Sequence, residues 1–77
     1  MNLENASISL AAVRAVLERD GQTMAARTLR GIEVNSTTDA QAALEALQNV
    51  EAQSDEAKAA IVFAIGACRR AGLANAA

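Results

Sequence analysis

At 77 residues with a net charge of −2, the chain is long enough for one small domain, and we predict a single helical domain over residues 1–77. It has no histidine and one cysteine, so it lacks the side chains that histidine acid–base catalysis or a zinc site requires. We therefore expect a protein that is not an enzyme and binds no cofactor or metal. β-branched residues are sparse and never alternate over a strand length, which predicts an all-α fold.

The N-terminal residues indicate where the protein acts. They lack the basic patch and the long apolar core of a secretory signal. The longest apolar run, residues 59–68, is half of the roughly 20 residues that cross a bilayer. We expect a cytoplasmic protein without membrane contact.

The first predicted helix spans residues 6–19, with Asn5 or Ser7 as its N-cap and Gly21 at its end. Two apolar stripes run along it side by side, so it needs two neighbours, or one neighbour and a partner subunit. One stripe is Leu10, Val13 and Leu17, and the other is Ile8, Ala12 and Val16.

The second predicted helix is short and spans residues 22–30, with Met24, Ala25 and Leu29 on its apolar face. Gly31 is expected at the left-handed position that ends the helix. So few residues separate the first two helices that they must form a tight corner.

The third predicted helix spans residues 39–52 and begins with a capping box, in which Thr38 and Gln41 satisfy each other's backbone N–H groups. Its apolar stripe includes Leu44 and Leu47. The link to the next helix is very short, so we expect these two helices to be antiparallel neighbours.

The fourth predicted helix spans residues 55–71 and forms the centre of a small four-helix bundle. Ser54 suits the N-cap, and Gly72 suits the left-handed position after the last turn. Its apolar residues cover an arc of about 200°, which requires cover from two sides. Alanines within this arc repeat at heptad spacing and favour close helix packing. The seam consists of Ala57, Ala60, Ala64, Ala67 and Ala71.

The predicted core takes the large apolar residues from all four helices. Phe63, the sole aromatic residue, is expected among them, so that its truncation would be strongly destabilising. The predicted core residues are Leu10, Val13, Leu17, Met24, Leu29, Leu44, Leu47, Ile61, Phe63 and Ile65.

The acidic residues of the second half all precede Lys58, which makes residues 39–56 an anionic segment. It is either a solvated surface or one that meets a basic partner. With surplus apolar residues on the first and fourth helices, this pattern favours a protein-binding module, such as a regulator, adaptor or inhibitor, that also forms a homodimer. The candidate partner-binding residues are Asp39, Glu45, Glu51, Asp55, Glu56, Ile8 and Val16.

The alternative is a DNA-binding regulator, because residues 22–47 resemble a helix-turn-helix of repressor type in Gln22, Ala26 and a glycine before an apolar residue. Arg27 and Arg30 would then contact DNA. However, the would-be recognition helix has acidic residues and no Lys or Arg, whereas duplex binding depends on cationic side chains. We therefore expect no nucleic-acid partner.

Overall fold

The computed structural model describes residues 2–73, and the side chains of residues 3–72. Four helices make up this part of the chain, which contains no strand, so the predicted all-α bundle is confirmed. The helices are α1 (Asn2–Arg19), α2 (Thr23–Arg30), α3 (Thr37–Gln48) and α4 (Asp55–Leu73).

The two long helices, α1 and α4, form the centre of the bundle. They run antiparallel, since the end of α1 meets the start of α4 through an ion pair between Arg19 and Glu56. α3 lies antiparallel against α4, with the Cγ of Gln41 close to Gly72. α2 packs mainly on α1, which contacts all three other helices. The α1–α4 pair therefore has an inner side toward α2 and α3 and an outer side away from them.

Two predicted helix ends have the expected chemistry. Gly21 is left-handed, with φ of 82°, and the N–H groups of Gly21 and Gln22 bond to the carbonyls of Glu18 and Leu17. This is the Schellman arrangement, and it turns the chain sharply from α1 into α2. At the start of α4, the Ser54 hydroxyl accepts a hydrogen bond from the N–H of Ala57 at 3.1 Å.

Other predicted boundaries were wrong. α1 begins at Asn2, four residues before the predicted start. α3 begins at Thr37 because Ser36, and not Thr38, is its N-cap: the Ser36 hydroxyl accepts from the N–H of Asp39 at 3.1 Å. The Asp39 carboxylate in turn accepts from the N–H of Asn35 at 3.0 Å. α3 also ends at residue 48 and not at 52, which leaves six residues to reach α4.

The two other glycines predicted as left-handed terminators are not left-handed. Gly31 has φ of −75° and sits at the end of α2 in right-handed conformation. Gly72 lies within α4, which continues through it to Leu73. Because Gly31 and Gly72 do not have a positive φ, glycine is not required at either position for conformational reasons.

The core lies between the inner faces of the four helices and is built largely from small side chains. The largest fully buried side chains are Leu10, Leu17, Leu29, Leu47, Val13 and Cys68. Alanines fill much of the rest of the core, and these are Ala6, Ala26, Ala40, Ala43, Ala57, Ala64, Ala67 and Ala71. Four of the five alanines of the predicted heptad seam are thus fully buried, and Ala60 is half-buried.

Two predicted core residues are not in the core. Phe63 is 67% exposed and Met24 is 73% exposed. On α4, Phe63 lies at the edge of the apolar arc and is exposed, whereas the rest of the arc, including Ile61 and Cys68, is buried or half-buried. On α2, the buried residues are Ala26 and Leu29, so the helix is turned further than predicted and carries Met24 to the surface. Leu44 and Ile65 are half-buried and pack against the core.

Candidate functional site

Three of the four exposed large hydrophobic residues in the described part of the chain lie on the two central helices. Ile8 of α1 is 61% exposed, and Val62 and Phe63 of α4 are 70% and 67% exposed. Large apolar side chains in contact with water are the usual mark of an interaction surface when they lie together on neighbouring elements.

Helix geometry places Ile8 and Phe63 on the same side of the α1–α4 pair. The Arg19–Glu56 ion pair fixes which side this is. Ile8 precedes Arg19 by 11 residues and Phe63 follows Glu56 by seven, and both spacings return a side chain to the same face of a helix. We call this surface the outer face. Its apolar residues are Ile8, Ala12 and Ala15 from α1, and Ala59, Phe63 and Gly66 from α4, with Val62 at its edge.

Charged residues close both ends of the outer face. At the end where α1 stops and α4 starts, Arg19 is bonded to Glu56, and Asp55 lies beside them. At the opposite end, exposed Glu4 lies near the start of α1, and exposed Arg69 and Arg70 lie near the end of α4. One end is therefore acidic on balance and the other basic.

The predicted acidic site residues do not form one cluster. Asp39 and Glu45 belong to α3, with Asp39 at the end of the bundle far from Glu51 and the start of α4. Only Asp55 and Glu56 border the outer face. Asp39 is also engaged within the chain as an acceptor for the Asn35 N–H.

The two predicted apolar partner-binding residues also have different environments. Ile8 lies on the outer face, as described above. Val16 is half-buried and packs against the core, so it offers little surface to a partner.

A polar clamp that sequence reasoning missed lies next to the acidic end of the outer face. The side-chain amide of Gln22 donates to the carbonyl of Glu51 at 2.6 Å and accepts from the N–H of Gln53 at 3.2 Å. The Ser54 hydroxyl donates to the Asp20 carboxylate at 2.6 Å. That hydrogen bond is the main cause that lowers the pKa of Asp20 below its usual value. The α1–α2 corner thus holds the start of α4 in place.

The residues of the DNA-binding alternative lie away from this face. Arg27 and Arg30 are exposed in the last turn of α2, and Arg30 forms an ion pair with Glu18 of α1. Six residues separate α2 from α3, whereas a helix-turn-helix has a turn of three or four. The exposed charged residue at the middle of α3 is Glu45. These features do not favour a DNA-reading surface.

A groove of about 660 Å³ lies between α2 and the end of α3, away from the outer face. Met24, Ala25 and Thr28 line one wall, and Ala46 and Val50 line the other. The groove is shallow and open, and its Met24 is the fourth exposed large hydrophobic residue. Met24 is therefore a suitable control position for substitutions in the outer face.

Cys68 is the one thiol of the chain, and it is buried in the core. Burial raises the pKa of the Cys68 thiol, because the charged thiolate is poorly solvated there. A buried thiol of this kind behaves as a small hydrophobic residue, not as a nucleophile.

Residues 2–73 contain neither a cluster of metal-binding side chains nor a membrane-spanning helix. Within them, no three His, Cys, Asp or Glu side chains come close enough together to hold a metal ion. The helices of this same part of the chain are too short or too polar for any to span a bilayer.

No family model, curated protein or solved structure matches the chain. The geometry and chemistry of its own residues are therefore what support a functional assignment.

Proposed function

We propose that this protein is a non-enzymatic binding module that docks on a protein partner through the outer face. The observation that supports this function best is the exposure of Ile8, Val62 and Phe63 on two adjacent long helices. A rigid pair of helices with an apolar centre and charged ends fits the way in which helical modules bind proteins. Such a module would act in the cytoplasm as a regulator, adaptor or inhibitor.

Burial of the exposed apolar side chains of the outer face would contribute free energy to binding. Full burial of a phenylalanine or isoleucine side chain contributes about 1.5–3 kcal/mol, which the isolated chain forgoes for two such residues. Aromatic residues at the centre of an interface also supply much of its binding energy. Phe63 is the sole aromatic residue of the chain, and it lies in the middle of this face.

The test is capture of binding partners by the tagged full-length chain from its own host cells. Wild type is compared with Phe63→Ser and with the matched control Met24→Ser, because both positions are about equally exposed and lie on different surfaces. We expect capture that is lost in Phe63→Ser and kept in Met24→Ser. Partners that bind all three proteins equally, or no captured protein at all, would contradict the proposed function.

A gel-shift experiment with duplex DNA at physiological salt provides the contrast with the DNA-binding alternative. We expect no shift. Tight, salt-dependent binding that is lost in an Arg27→Ala, Arg30→Ala double variant would replace the proposed function with DNA binding.

A further inference from the structure

We propose that the partner of the outer face is a second copy of this chain, related by a two-fold axis, so that α4 lies antiparallel on α4 of the other copy. This inference rests on the proposed function, since it names the partner of the same face. Three features carry it: the order of residues along α4, the matching order along α1, and the opposite charge of the two ends.

The residues that α4 contributes to the outer face and its charged ends follow an order that is symmetric about the middle of the helix. Val62–Phe63 lies seven residues after the acidic pair Asp55–Glu56 and seven residues before the basic pair Arg69–Arg70. A spacing of seven returns each pair to nearly the same face. When two antiparallel copies meet at Val62–Phe63, the acidic pair of each copy faces the basic pair of the other.

Small residues occupy the positions between these pairs. Ala59 and Gly66 lie at equal distances on either side of Val62–Phe63, and an antiparallel copy places each opposite the other. Small side chains let two helix backbones approach closely. A Cβ built on Gly66 would meet only the Nη1 atom of Arg70, at 3.5 Å, so within the chain only the end of one flexible side chain lies over this glycine.

The order along α1 agrees with the same two-fold axis. Glu4 and Arg19 lie at equal distances from Ala11–Ala12, and all four residues are exposed. Because α1 and α4 are antiparallel and Arg19 pairs with Glu56, the middle of this α1 pattern lies at the level of Phe63. One axis therefore brings Glu4 of each copy toward Arg19 of the other while it also matches the two α4 helices.

The charges of the two ends favour this orientation over the other two-fold arrangement. A parallel superposition would place the acidic end at Asp55–Glu56 on its own copy, and the basic end at Arg69–Arg70 likewise. Like charges in contact oppose association, whereas the antiparallel arrangement neutralises both ends. Exposed ion pairs add little affinity, so Phe63 supplies the binding energy and the charges set the orientation.

The size of the face indicates how tight such a dimer is. Two helices about 27 Å long and about 10 Å wide, lying side by side, offer roughly 540 Å² per copy. This is below the roughly 800 Å² per partner of a standard interface. We therefore expect a weak dimer with a dissociation constant in the micromolar range, which forms when the chain is abundant.

The first experiment measures mass against concentration by sedimentation equilibrium, from about 5 μM to about 1 mM, a range set by the expected micromolar affinity. Wild type should pass from the 7.9 kDa monomer to a dimer. We expect Phe63→Ser to raise the dissociation constant at least tenfold, and the control Met24→Ser to leave it unchanged. A monomer throughout, or a dimer equally strong in Phe63→Ser, would overturn the proposal.

The second experiment tests the orientation with two charge variants. The first is acidic at both ends of α4 (Arg69→Glu, Arg70→Glu), and the second is basic at both ends (Asp55→Arg, Glu56→Arg). In the antiparallel arrangement each variant repels its own copy, while a mixture of the two restores complementary ends. We expect each variant alone to be monomeric where wild type dimerises, and the mixture to form a heterodimer. Variants that self-associate as wild type does would overturn the antiparallel arrangement.

The two proposals fail in different ways. If the chain stays monomeric while Phe63-dependent capture of a different protein persists, the second copy is excluded and the proposed function stands. If the dimer forms through Phe63 and capture yields untagged copies of the chain, both are supported. Circular dichroism of each variant confirms that a lost interaction is not a lost fold.

Discussion

The inner side of α4 buries mostly alanine, whereas the outer side of the α1–α4 pair exposes a phenylalanine and an isoleucine to water. Ala57, Ala64 and Ala67 are almost fully buried, while Phe63, on the same helix, is 67% exposed. Two helices that meet through small side chains leave no room between them for a large one. Burial on α4 therefore follows the space between the helices, and its largest apolar side chain lies outside that space, exposed to water.

Truncation of a large core residue should have the largest effect and should separate the two sides. Leu17→Ala, at a fully buried position of α1, should lower the free energy of unfolding by about 2–5 kcal/mol through lost burial and a cavity. Phe63→Ala should change it by less than about 0.5 kcal/mol when the protein is dilute enough to be monomeric. Urea denaturation of both variants decides this. A loss for Phe63→Ala as large as that for Leu17→Ala would place Phe63 in the core after all.

Enlargement of an alanine should also affect the two sides differently. Ala64→Leu should cost about 1–3 kcal/mol or more, because Ala64 is fully buried between helices that would have to move apart. The control is Ala59→Leu on the same helix, whose side chain is exposed to solvent. Melting temperatures of the dilute proteins should fall for the first variant only. Equal melting temperatures would mean that the inner side is loosely packed.

The sequence was sufficient to predict much of the inner side and little of the outer side. Hydrophobic spacing located four helices, and the residues Gly21 and Ser54 marked two of their ends by backbone chemistry that acts locally. Six of the ten predicted core residues are buried. These features depend on interactions between residues that are close together in the sequence, so one sequence is enough to predict them.

The failures have tertiary causes. An apolar arc of about 200° on α4 indicates that two helices can pack on it, but not which part of the arc they cover. For this reason Phe63 was wrongly predicted to lie in the core. Beyond the early end of α3, Gln22 bonds the backbone of Glu51 and Gln53 from 29 and 31 residues away, and local sequence does not indicate such long-range bonds. At the start of α3, the cap predicted at Thr38 was wrong, because Ser36, two residues earlier, has the same capping chemistry and accepts from the N–H of Asp39.

Removal of the N-cap of α4 should have a smaller effect on stability. This cap, Ser54, lies where the start of α4 meets the end of α1. Ser54→Ala should lower the free energy of unfolding by about 1 kcal/mol, since the Ala57 N–H loses its acceptor. Ser36→Ala, which removes the cap of α3, is the matched control. We expect the Ser54 variant to lose at least as much, because it also removes the bond to Asp20. A smaller loss at Ser54 would show that this bond adds nothing.

The smallest expected effect is a dependence on acid. The pKa of Asp20 is lowered from its usual value of 3.8, first by the hydrogen bond from Ser54, so the ionised form stabilises the fold. This contribution is present above that value and is lost as pH falls through the lower pKa of the folded state. Melting temperatures between about pH 2 and pH 6 should therefore fall less steeply for Asp20→Asn than for wild type. Identical slopes would show that Asp20 does not contribute.

Gly66 lies in the middle of α4, at a position where alanine would make the helix more stable. Glycine inside a helix is less favourable than alanine by about 0.5–1 kcal/mol, because its backbone loses more freedom on folding. An added Cβ there would make only an ordinary van der Waals contact, so nothing within the chain forbids the more stable residue. A single-step route to a more stable monomer is therefore open at this position. If natural variants of the chain keep glycine there, the selection that holds it acts on the surface of the molecule and not on its folding.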